Sequence, residues 1–451
     1  MDLDLLARVL RRRAELARHD RWTRAELEDH QQRALAVLRR RATARSPFYG
    51  RRHQGFADLP LGALPSVSKG ELMDRFDEVL TTGRLSRIVI EARLRSLTES
   101  GGDPGAPLDG RWWTAATAGT TGRRGVFVWD RAEWATILAS YARATQWVQV
   151  RAGLTHPLRM AVVSSLVPTH QSAVVGASLR SRTVPTLRLD ARAPLQESVE
   201  ALNAFGPRVL VGYPSSLRPL ALEQTAGRLH ITPEAVMSAS EVLAEPAARD
   251  MKRAWGSWPH DVYAATETAG ISSPCRLGRR HLYEDLVIAE PVDEDGALVE
   301  PGSPGTRLLV TVLFSRTVPL IRYELSDRVT LSPVPCSCGL PFRVLEAVVG
   351  REQDVLSLPG PSGPVSIHPG VFHAVLDEVD AAAWQVVQHG ESHLRVLVVA
   401  TNTPLSSEHV QTAVVDALRA AGTAVSVSVE LVDEVPRTAL GKAPLIRHVP
   451  D

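Results

Sequence analysis

The sequence predicts an α/β protein in which a large, multi-subdomain N-terminal domain with mostly parallel sheets precedes a small α+β C-terminal domain. Three observations predict it. Between residues 159 and 268, short apolar, β-branched runs (RMAVVSSLV, PRVLVGYPSSL, HDVYAATET) alternate with helical stretches, as βαβ units do. From 305 to 334 the strand-like runs GTRLLVTVLF, PLIRYEL and DRVTLSPV follow one another with little between them. After VVGREQDVLSLPGPSGP (348–364) the alternation restarts: helix HPGVFHAVLDEV, strand HLRVLVVA, helix SSEHVQTAVVDALRAAG, strand AVSVSVELV. The expected division is therefore 1–350 for the N-terminal domain, 351–354 for a hinge and 355–451 for the C-terminal domain.

Residues 1–60 read as a helical lead-in, with leucines and alanines at helical spacing among many arginines (ELEDHQQRALAVLRRRA). Acidic residues are interspersed, so the arginines describe a solvated helical face rather than a nucleic-acid patch. The whole chain has 451 residues and a formal net charge of +1, which argues against a nucleic-acid partner held by a strong general field. A hydrophobic share of 44% and a charged share of 22% are those of an ordinary globular protein. No apolar run approaches the roughly 20 residues of a membrane span. The first residues, MDLDLLARVLRRRAELARHD, lack the apolar core and cleavage site of a signal peptide, so a cytoplasmic location and no membrane partner are expected.

Five segments carry chemistry. TAGTTGRRG (117–125) lies between a strand and the helix expected to begin near Asp130; glycines and hydroxyls there let backbone N–H groups approach a polyphosphate. It is not a Walker A loop, because GxxxxGK[ST] is absent. YAATET (263–268) places Tyr263 and Glu267 after a strand, and YELSDRV (323–329) presents Asp327 just past another. GREQD (350–354) sits at the expected boundary. PRTALGK (436–442) contains Lys442, one of three lysines against 48 arginines, the others being Lys69 and Lys252.

In this order and with these separations, the segments resemble the adenylate-forming superfamily of acyl-CoA synthetases, carrier-loading adenylation domains and luciferases. The resemblance is nearest to its phenylacetate–CoA ligase-like branch and covers nearly the whole chain. Branch cues are ARSPFYGRR (44–52), LPSVSKGELMDRFD (64–77), GYPSSL (212–217), SASEVL (238–243) and VPLIRYELSD (318–327).

The resemblance implies ATP-dependent activation of a carboxylic acid to an acyl-adenylate with release of pyrophosphate, and then transfer to CoA. Two anions must meet, so the site needs positioned positive charge and oriented donors rather than a nucleophile. Thr117, Gly119, Thr120, Thr121 and Gly122 are implied to hold the β,γ-phosphates, with Arg123 standing where many relatives carry lysine. Glu267 is implied as the Mg²⁺ ligand, a role that suits a hard cation beside phosphate. Tyr263 is implied to stack on adenine, Ser240 and Glu241 to edge the base, and Thr266 to line the nucleotide site. Asp327 is implied to accept from the ribose hydroxyls, and Arg351 to reach the ribose–phosphate region. Lys442 is implied as the catalytic cation bridging the carboxylate and the α-phosphate, a task for which a guanidinium is not equivalent. The small domain is implied to rotate as a lid on Glu352–Gln353–Asp354; relatives often have Asp or Lys where Gln353 stands.

The acid itself is implied to be aromatic, with Tyr213, His170 and Ala264 as candidate pocket residues; a satisfied core histidine is the other reading of His170. Trp112, Trp113 and Trp147 read as packing. Other acceptors fit the same activation chemistry: a carrier-protein thiol, an amine, or nitrite in diazotising members that serve specialised metabolism. A non-catalytic nucleotide sensor on this fold would have lost Glu267, Asp327 or Lys442, and all three are present. A homodimer is left open.

Three cysteines cannot form a disulfide framework; in a reducing compartment they point to free thiols or a metal. Cys275, His281, Cys336 and Cys338 together make a donor set suited to a closed, structural tetrahedral Zn²⁺ site, although Cys-x-Cys is tighter than usual finger spacing. Some members of the branch have a comparable set. Buried free thiols are the alternative.

Overall fold

The computed structural model describes residues 2–449 apart from 101–102, 118–123, 152, 154, 179–182, 352–354, 362, 368, 377–378, 380, 391, 401–404 and 439–442. At Ser100, Val349–Arg351, Gly370 and His373–Ala374 the backbone alone is described.

The lead-in forms two long helices, Leu3–His19 and Arg24–Arg45, each started by a side chain that satisfies free backbone donors. Asp2 accepts from Leu5 N, and Thr23 with Glu26 forms a reciprocal capping box. Leu5, Val9, Leu16, Leu27 and Leu38 turn inward, and the first helix lies along Arg131–Trp147. Between them is a buried polar knot. Arg143, 1% exposed, donates to both oxygens of Asp285 at 2.7 and 3.0 Å, to Asp20 at 2.8 Å and to Leu16 O at 3.1 Å. His19 Nδ1 meets Asp285 Oδ2 at 2.7 Å. Burial opposes the charge on Asp285, yet Arg143 and His19 hold its pKa below the usual carboxylate range.

The main sheet has nine strands. Their order is Asp327–Leu331, Val344–Arg351, Arg280–Leu282, Ala269–Pro274, His260–Ala265, Ala235–Ala239, Val209–Gly212, Met160–Ser164 and Thr186–Asp190. Parallel pairing is confined to the last five, the stretch where strands and helices alternate in sequence. The other four pair antiparallel because short turns join most of them. A three-stranded antiparallel sheet (Val287–Val292, Arg307–Val312, Tyr323–Leu325) packs beside it. Trp112, Trp113 and Trp147 are buried, as expected of packing residues.

The C-terminal part has its own core of Leu356, Ile367, Phe372, Trp384, Val396, Val410 and neighbours. Its four-stranded sheet runs Ser426–Leu431, His393–Ala400, Ala381–His389, Ile446–Val449, with the helices Pro369–Leu376 and Ser407–Ala420. A hairpin, Leu356–Gly360 with Gly363–Ile367, precedes it. The mixed α/β fold class read from the sequence is thus borne out. Among the described residues, no helix is long and apolar enough to cross a membrane.

Candidate active site

The TAGTTGRRG segment connects two antiparallel strands, Trp113–Ala116 and Val126–Trp129, rather than running from a strand straight into a helix. The helix begins at Arg131 with Asp130 as its cap. Gly119, Thr120, Thr121, Gly122 and Arg123 lie outside the described residues, but the base of the loop is defined. Thr117 N donates to Gly125 O, and Gly125 N donates to Thr117 Oγ1, both at 2.8 Å. Lys69 Nζ donates to the same hydroxyl at 2.8 Å. A Cβ on Gly125 would stand 2.7 Å from Lys69 Cε, so only glycine lets the lysine close on this base. Lys69 is brought here because residues 66–67 run along the third sheet strand: Val67 N donates to Arg322 O and Glu324 N to Val67 O, each at 3.0 Å. Ser68 then caps the short helix that Lys69 opens. Sequence reasoning missed this residue, although its rarity among 48 arginines was a signal.

Tyr263 lies within the strand His260–Ala265 rather than after it, and Glu267 occupies the turn that follows. Tyr263 Oη donates to Asp327 Oδ2 at 2.9 Å. Asp327 pairs with Arg351 across adjacent strands, which places the Arg351 backbone beside it; the Arg351 side chain lies outside the described residues. Glu267 Oε1 is 3.5 Å from the Tyr323 hydroxyl, and burial followed by this neighbouring charge pushes the tyrosine's pKa well up. Thr266 is held from behind: Gln171 Nε2 donates to its carbonyl at 2.9 Å, while Tyr141 Oη donates to Gln171 Oε1 at 2.8 Å. No motif in the sequence marks Gln171. Tyr263→Phe removes the donor to Asp327 and keeps the ring that the resemblance implies for adenine. We expect it to raise the KM for ATP about three- to tenfold with little change in kcat, measured by steady-state kinetics with ATP varied.

A cleft of about 420 Å³ opens between the N-terminal sheet and the C-terminal sheet. Ser240, Glu241, Tyr263, Ala264 and Asp327 line it from one side, and Arg437, Thr438 and Ala443 from the other. Ser240 sits there with φ at +71°, a left-handed conformation that costs energy for a residue with a Cβ. Lys442 lies outside the described residues; its neighbour Ala443 is at the cleft. Tyr213 is not on this cleft. It is 3% exposed, its hydroxyl accepts from Ser165 N at 3.1 Å, and burial pushes its pKa up to about 12. His170 opens the helix Gln171–Ser178, next to Thr169, whose carbonyl accepts from Ala116 N beside the glycine loop.

The cysteine cluster stands apart from this site, on the antiparallel half of the main sheet. The ligand atoms of Cys275, His281, Cys336 and Cys338 all lie within 4.8 Å of one another. Cys275 Sγ to Cys336 Sγ is 3.9 Å, and Cys338 Sγ to His281 Nε2 is 3.3 Å. His281 Nδ1–H donates to Phe342 O at 2.8 Å, which turns Nε2 towards the sulfurs. Burial pushes the Cys338 thiol up to about 12 and holds the His281 pKa down.

Sequence comparison finds two curated relatives. Over 189 residues the chain is 27% identical to a phenylacetate–coenzyme A ligase of Thermus thermophilus, 40% of this chain and 41% of the relative. Over 253 residues it is 23% identical to the protein CapK of Staphylococcus aureus, 55% of this chain and 54% of the relative. The matched stretches thus span only about half of those relatives' lengths. No protein-family profile matches the chain. Among solved structures, 2-hydroxyisobutyryl-CoA ligase in its postadenylation state, in complex with 2-HIB-AMP, superposes with a TM-score of 0.74 at 19% identity, over 96% of this chain and 92% of that one. The same ligase in its thioesterification state gives 0.60 at the same coverage.

In fold, then, the chain is a two-part molecule similar to 2-hydroxyisobutyryl-CoA ligase. Its resemblance in sequence is to the phenylacetate–CoA ligase-like branch of the adenylate-forming superfamily.

Proposed function

We propose that the protein is an AMP-forming ligase that activates a carboxylic acid and passes the acyl group to CoA. A carboxylate oxygen attacks the α-phosphorus of ATP, the bond from that phosphorus to the bridging oxygen breaks, and pyrophosphate leaves with its electron pair. The acyl-adenylate then loses AMP to the CoA sulfur, whose proton is released. The observation that carries this reading is the convergence on one cleft of Tyr263, Asp327 and Ser240 with Arg437 and Thr438 of the PRTALGK segment, with Glu267 in the adjoining turn.

The reading gives each residue a task. Tyr263 offers a ring to adenine while its hydroxyl holds Asp327 for the ribose. Ser240, Glu241 and Thr266 edge the base, and Arg351 reaches the ribose–phosphate. Thr117 and the glycine loop with Arg123 take the β,γ-phosphates, and Lys69, already bonded to Thr117, adds a cation at the loop base. Glu267 would hold Mg²⁺, whose charge neutralises the departing pyrophosphate. Lys442 stabilises charge where carboxylate meets α-phosphate. Residues 355–451 act as the lid, turning on 352–354 between the two half-reactions. The acid is proposed to be aromatic, seated near Tyr213, His170 and Ala264. Carrier thiol, amine and nitrite remain the alternative acceptors, the last in specialised metabolism. A pyrophosphate-release screen over aryl, arylacetic and cinnamic acids, each with CoA, an amine or nitrite, tests the reading. AMP formation with one acid class supports it, and no ATP cleavage with any acid overturns it.

The cysteine cluster is proposed as a structural Zn²⁺ site. Tetrahedral zinc–thiolate geometry sets sulfurs about 3.8 Å apart, close to the Cys275–Cys336 separation of 3.9 Å. Leu277 N and Leu340 N each approach a cysteine sulfur at 3.4 Å, donors that favour thiolates. We expect close to one equivalent of zinc by elemental analysis, and Cys338→Ser to lower the melting temperature by several degrees with loss of the metal. A metal-free, chelator-insensitive protein would remove zinc from the account.

A further inference from the structure

Three consecutive residues, Thr169, His170 and Gln171, tie together parts of the candidate site that come from distant stretches of the chain. Thr169 O accepts from Ala116 N at 2.8 Å, at the end of the strand that leads into the glycine loop. Gln171, 5% exposed, donates from Nε2 to Thr266 O at 2.9 Å, in the turn that carries Glu267. Its Oε1 accepts from Tyr141 Oη at 2.8 Å. Burial raises the pKa of that phenol, so it stays a donor and fixes which way round the amide stands. Ser140, the residue before it, closes on the chain just past the same turn. A Cβ on Gly270 would stand 3.3 Å from Ser140 Oγ and 2.8 Å from Tyr283 Cε2. Between Glu267 and Gly270, Ala269 has φ at +61°, a left-handed conformation that a residue with a Cβ keeps only where its surroundings impose it.

We infer that Gln171 is a positioning residue, oriented by Tyr141, that sets the Glu267 turn at a fixed distance from the base of the phosphate loop. This rests on the reading of Glu267 as the Mg²⁺ ligand and adds to it a residue that acts only through the backbone of Thr266. Mg²⁺ demands near-ideal octahedral geometry with oxygens about 2.0–2.1 Å away, so a carboxylate sharing the ion with phosphate oxygens must stand in one place. Glu267's own contact is weak, since the Tyr323 hydroxyl is 3.5 Å from its Oε1. The turn's internal bond, Thr268 N to Ala265 O, is also long at 3.3 Å. The shorter bond is the one from behind, made to the residue next to Glu267 by an amide whose other end is pinned. Because Gln171 follows Thr169 by two residues, one short segment sets both the strand entering the phosphate loop and the turn that carries the carboxylate. A leucine in its place would leave the Thr266 carbonyl and the Tyr141 hydroxyl without these partners.

The test reads metal binding as well as turnover. Mn²⁺ takes the same oxygen ligands as Mg²⁺ and is visible by electron paramagnetic resonance. In full-length protein, Gln171→Leu should weaken Mn²⁺ binding to the protein–ATP complex about tenfold, the size of effect seen when a ligand loses its supporting partner. The Mg²⁺ concentration for half-maximal ATP–pyrophosphate exchange should rise by the same factor. ATP affinity measured with chelator present should move less than about twofold, a split that general damage to the core would not give. Tyr141→Phe, which leaves the amide free to turn over, should weaken Mn²⁺ about two- to threefold, and adding it to Gln171→Leu should cost little more, because the two side chains act in series. Mn²⁺ affinity in Gln171→Leu within about twofold of the parent, or an equal loss of metal-free ATP binding, would overturn the inference. Should Gln171→Leu not fold, Tyr141→Phe decides alone, and parent-like Mn²⁺ affinity there overturns it. If the parent protein activates no acid at all, the adenylation reading fails instead, and the Mn²⁺ measurement still decides the role of Gln171.

Discussion

We expect Lys442→Ala to abolish the proposed acyl-adenylate formation, by at least about a hundred- to thousandfold, while ATP affinity and the melting temperature stay near those of the parent. Removing one preorganised electrostatic group from a site of developing charge costs that much where no proton-transfer detour exists. Ala443, next to it, is buried. Lys442→Arg should recover little, because the guanidinium is larger and spreads its charge over a plane. Single-turnover measurement of adenylate with saturating ATP separates the step from binding, and near-parent turnover by Lys442→Ala would remove the lysine from the mechanism.

Arg143→Ala destabilises the protein by about 3–5 kcal/mol, the cost of stranding a buried carboxylate after its partner is removed. The stranded group is Asp285, 1% exposed, with Asp20 beside it, and the guanidinium also stacks over Trp147, Tyr283 and Phe342 at 5.0–5.1 Å. In the parent, the depressed pKa of Asp285 contributes stability that is present above the ordinary carboxylate pKa and lost as pH falls below it. In Arg143→Ala the carboxylate keeps His19 but loses the guanidinium, so it takes up a proton more readily and acidification helps the variant relative to the parent. The gap between the two in denaturant unfolding should narrow between about pH 7 and pH 5. The double variant Arg143→Ala with Asp285→Asn, which leaves no buried charge at that position, should be less destabilised than Arg143→Ala alone. A single variant no less stable than the double one would mean that the knot holds the lead-in by packing rather than charge.

How much of this was legible depends on what each segment needed from the rest of the chain. HLRVLVVA forms a strand over the span its alternation marked, His393–Ala400, because both flanks carry turn residues and its buried valines face one core. The hairpin Leu356–Gly360 with Gly363–Ile367 was hidden: proline and glycine fill its tip (LPGPSGP), residues that usually argue against strands, and a neighbouring core overrides that preference. Ile446–Val449 is four residues long and pairs in parallel at a sheet edge, a contact no local pattern encodes. Tyr263, Glu267 and Asp327 were legible as chemistry because their motifs are local. Lys69 was visible only as a rarity, since its partner Thr117 lies 48 residues away and a strand pairing at Arg322 brings the two together. Glu241 and Ser215 carried motifs but no hint of their long-range partners: Glu241 accepts from Ala443 N, 202 residues on, and Ser215 accepts from Arg437.

The lead-in has a consequence for how the chain is made. Its docking partners come very late: His19 and Arg143 wait for Asp285, Tyr49 Oη donates to Pro319 O, and Ser66 Oγ to Glu324. At the roughly 5–20 residues per second of protein synthesis, the first helix waits about ten seconds for Arg131–Trp147, along which it lies, and some tens of seconds for Asp285. During that interval the inward stripe of Leu5, Val9, Leu16 and Leu27 is open to solvent, while arginines and acids crowd the opposite face. The charge that decorates the finished molecule therefore serves first as a solubiliser for an unfinished one.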